Sequence, residues 1–280
     1  MAERESSHTA RGVAMLRAAH QVLDGEPRLL RDPVIVRLLG PDTERTIREH
    51  SERFQSPAAR ALRSHVVLRS RVAEDRLEAS LARGIVRYVV LGAGLDTFAY
   101  RQPEWARALE IVEVDHPATQ AAKRDALRAA AIEIPANVRY AGIDFERESL
   151  DDGLRRCGVP NDQPSFFSWL GVTMYLTRPA IDAVLSTVAS FPRGSELVLT
   201  FARPPAPEDT GALFFAEGAA RLGEPWLSYF TPEELEALLR ERGFSDVWFL
   251  SREDAARRYY ADRGEDLAPP RRVSIASAVV

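Results

Sequence analysis

Three apolar runs of the chain end in residues that suit the parts of one small molecule. Tyr88-Val89-Val90-Leu91 breaks into Gly92-Ala93-Gly94, Ile111–Val114 ends at Asp115, and Val138–Ile143 ends at Asp144-Phe145. Glycines at a strand end let the chain turn tightly and let a ligand lie against bare backbone. A carboxylate accepts two hydroxyl hydrogen bonds at once, which suits the cis-diol of a ribose. Asp115 follows Gly94 by 21 residues, about the separation at which an acid reaches such a diol. Asp144 suits an adenine amino group, and Phe145 offers either its ring to the base or its backbone N–H to a ring nitrogen. Taken singly, each feature has a plainer reading: a strand-to-helix turn, or an aspartate in a solvated turn. Three successive strand ends that each suit part of one nucleoside argue for a nucleoside site.

The type of nucleotide follows from what the glycine turn lacks. A dinucleotide fingerprint places a third glycine three residues after the second, to bring the next helix close. Thr97 stands there, and Asp96 precedes it. A pyrophosphate is poorly served beside that carboxylate, whereas a cationic or zwitterionic ligand is not. A nicotinamide-dependent oxidoreductase is therefore the weaker alternative.

These residues need a sheet to hold them. The first three strands end at Leu91, Asp115 and Ile143, and two more are expected at Ser165–Leu170 and Glu196–Phe201. Residues 1–84 read as a helical cap, with a long helix over Ala58–Ala82, and residues 85–202 as the cofactor-binding core. Residues 203–230 open on Arg203-Pro204-Pro205 and carry Leu213-Phe214-Phe215 and Trp226–Phe230. They read either as a substrate lid with an aromatic lining or as a helix packing its aromatics into the core. Thr231-Pro232-Glu233-Glu234 is a helix start, and Phe244–Ser251 with Val273–Val280 forms a last strand pair within 231–280.

The chain resembles the class I S-adenosylmethionine-dependent methyltransferases, and within them the leucine carboxyl methyltransferase family, in its actinobacterial and polyketide-tailoring O-methyltransferase branch. The matching stretches are TARGVAMLRAA at Thr9–Ala19, Arg31-Asp32-Pro33, LRSRVAED at Leu68–Asp75, VVLGAGLDTFAYR, EVDHP at Glu113–Pro117, Lys123, Gly142–Phe145 and SWLGVTMYLT at Ser168–Thr177; GEPWLSYFTPEEL matches more loosely. The resemblance implies an α/β fold, a Rossmann-like doubly wound sheet of seven strands with the last pair containing an antiparallel strand. It implies S-adenosyl-L-methionine as cofactor and S-adenosyl-L-homocysteine as product. It assigns Arg71 to the methionine carboxylate, Gly92, Ala93 and Gly94 to the methionine part, Asp115 with His116 beside it to the ribose, and Asp144 and Phe145 to the adenine. Tyr175 matches a tyrosine near the methyl-transfer channel. One position departs: relatives place a glutamate for the cofactor's ammonium group where this chain has Leu170, so backbone carbonyls near Gly92 or Trp169 are expected to substitute.

A sulfonium methyl is already electrophilic, so the protein has mainly to align a nucleophile. Alignment contributes on the order of 7–11 kcal/mol in well-oriented systems. No residue reads as a strong general base, since His65 sits within a helix and His116 by the ribose; this favours a carboxylate or acidic hydroxyl as acceptor, oriented by Tyr175 and Arg203. A methyltransferase-like protein that binds the cofactor without transfer, as a cyclisation helper or partner subunit, is the alternative that Leu170 keeps open. The 280 residues carry 37 basic and 41 acidic side chains, a net charge of −4 that gives no reason to expect nucleic acid. No run is long and apolar enough for a membrane span, MAERESSHTA lacks a signal peptide's apolar core, the lone Cys157 has no activating neighbours, and the histidines show no metal spacing. The expectation is a cytoplasmic enzyme acting on a small-molecule acceptor, without a metal.

Overall fold

A computed structural model describes residues 8–145, 147–205, 210–221, 223–263 and 266–280, leaving out the side chains of residue 8 and of residues 210–215. Five parallel strands, β1 (Arg87–Leu91), β2 (Glu110–Asp115), β3 (Val138–Gly142), β4 (Ser165–Trp169) and β5 (Glu196–Thr200), lie in one sheet. β6 (Asp246–Phe249) and β7 (Ile275–Val279) complete it in the order 3-2-1-4-5-7-6, with β7 antiparallel to both neighbours. The fold is thus the expected doubly wound seven-stranded α/β sheet. Every position of β1, β4 and β5 is buried, as parallel strands covered on both faces require. The strand order reverses between β1 and β4, which opens a crevice at their carboxyl ends.

Among the described residues five α-helices precede the sheet: α1 (His8–Leu23), α2 (Pro33–Leu38), α3 (Thr43–Glu49), α4 (Ser51–Gln55) and α5 (Pro57–Ser80). α5 starts sharply because Ser56 Oγ accepts the Ala59 N–H and Pro57 needs no donor in the first turn. It runs against β4 and β5 on one side and carries α1 on the other. A buried ion pair fixes that packing. Both oxygens of Asp24, just past α1, take the Arg63 guanidinium of α5, at 2.9 Å from Nε and 2.7 Å from Nη2. His20 Nδ1 adds a hydrogen bond to Asp24 at 2.7 Å, and its Nε2 accepts the Leu30 N–H, which places the ring proton on Nδ1.

α6 (Pro117–Ala129), α7 (Leu150–Arg156) and α8 (Arg178–Ala189) follow β2, β3 and β4, and α8 starts at the Thr177 cap. α9 (Thr210–Arg221) follows β5, and α10 (Pro232–Glu241) opens with the predicted capping box between Thr231 and Glu234. α11 (Arg252–Ala255) leads into a π-helical turn at Ala256–Tyr260. β6 is shorter than the sequence suggests, because the Phe244 N–H closes the end of α10 on Leu239 O instead of joining the sheet. Among the described residues no helix is long and apolar enough to cross a membrane.

Candidate functional site

The crevice between β1 and β4 deepens into a cavity of about 1460 Å³. Single-ligand pockets run to about 1,000 Å³, so this one has room for a cofactor and a second molecule. Its floor is the glycine turn. The N–H groups of Gly92 and Ala93 both donate to Val114 O, at 2.8 and 3.0 Å, which bends the chain sharply off β1. Gly92 and Gly94 have φ of +66° and +45°, a region that side chains disfavour. A Cβ on Gly92 would collide with Val172, which follows β4.

Asp115 stands at the end of β2 with one donor on each oxygen: Gly94 N at 2.5 Å and His116 N at 2.7 Å. The second lone pair of each oxygen remains for a diol. Burial, the largest influence, raises the Asp115 carboxyl above its ordinary value, against the pull of those two N–H groups. His116 Nδ1 accepts the Ala118 N–H, so Nε2 carries the proton and faces Asp144 Oδ2 at 3.8 Å. Asp144 and Phe145 follow β3 and line the same cavity.

The structure brings together Gly92, Ala93, Gly94, Asp115, His116, Asp144, Phe145, Leu170, Tyr175 and Arg203 around this one space. Two expected residues lie elsewhere. Trp169 is the last residue of β4, and its indole is fully buried in the apolar core beneath the sheet. Arg71 lies outside the cavity, with its guanidinium paired to Asp75 at the surface. The reason is helical geometry: two residues along α5 is about 200° of rotation, so Arg69 and Arg71 point to opposite sides. Arg69 lines the cavity, together with Ala58, Leu62 and His65 on the same stripe of α5. No carboxylate of the described residues pairs with Arg69. Burial foremost, and then the nearby Arg17 charge, lowers its pKa to about 10. Arg69 thus stands in the cavity where Arg71 was expected: a guanidinium with no ion-pair partner among the described residues fits the paired oxygens of a carboxylate.

His65, set aside as a base because it sits within a helix, also lines the cavity. Burial, helped by the Arg69 charge, pushes its pKa from 6.5 down to about 3, so the ring is neutral at physiological pH. The unfolded chain takes up this proton below about pH 6.5 and the folded chain does not. Stability should therefore fall as the pH drops from 6.5 toward 3, and His65→Gln should flatten that limb in urea unfolding measured across a pH series.

The upper wall comes from α1 and from the segment after α9. Thr9, Ala10, Val13 and Ala14 of α1 face Trp226 and Leu227, which follow α9. The Thr9 N–H donates to Glu224 Oε2 at 3.1 Å and so joins the two walls. Tyr175 sits in a short turn after β4, and burial raises its pKa. The segment expected as a lid or as core is divided: Trp226 and Leu227 line the cavity, whereas Phe230 is buried in the core. The side chains of Leu213, Phe214 and Phe215 lie outside the described residues, as do residues 206–209.

The model of the leucine carboxyl methyltransferase family matches residues 10–189. A Bacillus subtilis (strain 168) protein, YktD, named as a candidate S-adenosyl-L-methionine-dependent methyltransferase, is 36% identical over 212 residues, 71% of this chain and 67% of its own. A Mycobacterium sp. (strain JLS) protein named in the same way is 31% identical over 197 residues, 67% of this chain. The chain spans 67% and 64% of the lengths of these two relatives. A solved structure from Thermobifida fusca YX, described as a candidate methyltransferase, superposes with a TM-score of 0.59 at 18% identity, covering 99% of this chain and 96% of that one. At that identity the likeness is one of fold.

Proposed function

The chain belongs to the leucine carboxyl methyltransferase family, and from that premise we propose that it moves a methyl group from S-adenosylmethionine to the carboxylate or acidic hydroxyl of a small molecule, of the kind found in secondary metabolism. The cavity's donors and acceptors fit the cofactor: Arg69 for the methionine carboxylate, Gly92–Gly94 for the chain beside it, Asp115 for the ribose, Asp144 and Phe145 for the adenine. Bound there, the cofactor supplies a methyl group already activated by a sulfonium charge. The protein's own work is to bind, to orient and to exclude water.

The observation that carries the acidic acceptor is a set of arginines. Arg60, Arg203 and Arg271 line the same cavity, and none is ion-paired among the described residues. The Nε of Arg60 is buried without a hydrogen-bond partner. An anionic acceptor would satisfy these groups. A carboxylate is ionised at neutral pH and needs no base, which agrees with a His65 too weakly basic to serve as one. Tyr175 keeps its proton, since burial raises its pKa, and so acts as a donor that orients the acceptor oxygen.

The test is turnover of S-adenosylmethionine over a panel of carboxylic acids, phenols and amines. Acids are expected to be methylated. Arg203→Gln should raise the KM for them about tenfold with a smaller change in kcat, the loss of one charge-assisted hydrogen bond. Turnover confined to amines, or an Arg203→Gln enzyme with unchanged KM for acids, would overturn the reading.

A further inference from the structure

Asp96 follows the glycine turn and has no part in the roles assigned above. Its side chain is 19% exposed, and it lines the cavity. Its direction is fixed from both sides. Arg17 Nη1 of α1 donates to Oδ2 at 3.0 Å, and the Phe98 N–H donates to Oδ1 at 2.8 Å. Arg17 is itself locked by its Nη2, which reaches Asp32 Oδ2 at 2.7 Å and Thr97 Oγ1 at 3.0 Å. Each Asp96 oxygen thus has one donor and one lone pair to spare.

The other cavity acids of the described residues have different neighbours. Asp115 and Asp144 stand at the ends of β2 and β3, on the nucleoside side. Glu224 holds the Thr9 N–H, and Asp266 takes the Gly25 N–H and Arg263, each at 2.8 Å. Asp96 is the carboxylate on the glycine loop itself, and its field reaches Arg69. Where a carboxylate side chain would be awaited after β4, Leu170 presents only carbon. An α-amino acid needs a cation for its carboxylate and an anion for its ammonium, side by side.

We propose that Asp96 receives the ammonium group of the cofactor's methionine end while Arg69 takes its carboxylate. The inference rests on the cofactor reading. Burial alone would raise the Asp96 carboxyl; Arg17, Lys123 and Arg101 outweigh it and hold the group below its ordinary range, so it stays an anion.

The experiment compares three probes by calorimetry: S-adenosylhomocysteine, its desamino analogue, and 5′-methylthioadenosine, which lacks the whole amino-acid end. The wild type should prefer S-adenosylhomocysteine over the desamino analogue by about tenfold to hundredfold, the range of a charge-assisted hydrogen bond. Asp96→Asn should abolish that preference and leave 5′-methylthioadenosine within about twofold. Asp96→Glu, which keeps the pairing charge for Arg17, should reduce the preference as well. Equal binding of the amino and desamino probes by the wild type would overturn the inference without any variant. So would an Asp96→Asn protein that keeps the preference or weakens all three probes alike. A wild type that binds none of the three would overturn the cofactor reading, and this inference with it.

Discussion

Arg69→Met should weaken S-adenosylhomocysteine binding by at least about a hundredfold, whereas Arg71→Met should change it by less than about twofold. The first figure follows from the loss of paired charge-assisted hydrogen bonds, each of about 1.5–3 kcal/mol, to a carboxylate in a partly desolvated site. The second follows from where Arg71 sits: 47% of its side chain is exposed, and its Nε pairs with Asp75 at 2.8 Å. Such surface pairs contribute about 0–1 kcal/mol to stability and here touch no ligand. Calorimetry reads the affinity, and thermal unfolding separates it from damage to the fold. Arg69 forms no ion pair with a carboxylate of the described residues, and burial with the Arg17 charge outweighs the field of Asp96, so Arg69→Met should leave the Tm of the free protein unchanged or higher. Gly171→Ala should act on the same group from the other side. A Cβ there would stand 2.5 Å from Arg69 Nη1, and the residue has φ of +78°. Equal losses from Arg69→Met and Arg71→Met would sink the assignment.

The contrast between these two arginines marks what the sequence can disclose. The sheet was legible because β1, β4 and β5 are buried throughout and β2 nearly so, which leaves largely apolar runs in the sequence, with Gly92, Asp115 and Asp144 at or just past the ends of β1, β2 and β3. Their ends converge because parallel strands point their carboxyl termini the same way. The helix facing them was legible as a helix but not in its rotation. Leu68-Arg69-Ser70-Arg71 offers two arginines of one type, and only the line of Ala58, Leu62, His65 and Arg69, spaced four, three and four apart, separates them. Trp169 shows the same limit: the last residue of a strand points its side chain to one face or the other by register alone, and here the indole faces the core, which leaves the expectation for its backbone carbonyl untouched. The tie between Asp96 and Arg17 was out of reach, because it joins residues 79 apart through a helix packing that no local pattern encodes.

That packing has its own test, with the largest expected effect on stability. Asp24→Asn should destabilise the protein by about 3–5 kcal/mol, because it leaves the Arg63 guanidinium, 1% exposed, without its counter-charge. Arg63 also donates to Phe54 O at 2.6 Å, so it cannot swing out to water without giving up a second contact. Asp24→Leu with Arg63→Met should recover most of the loss, since a well-packed apolar pair is often no worse than a buried ionic one. Acid should report the same pair. Burial by itself would raise the Asp24 carboxyl, but His20 and Arg63 together hold it below its ordinary value. The unfolded group protonates first as the pH falls, so the pair's contribution is intact above the unfolded value of 3.8 and disappears below it. The His65 limb begins instead near pH 6.5 and runs toward 3, so in urea unfolding across a pH series the loss of stability should steepen below 3.8, and Asp24→Asn should remove only that added steepness. Because α1 supplies Arg17 and α5 supplies Arg69, the double variant should also weaken S-adenosylhomocysteine wherever it loosens the contact between the two helices. If it restores stability without restoring affinity, the ion pair serves the register of the site as well as the fold.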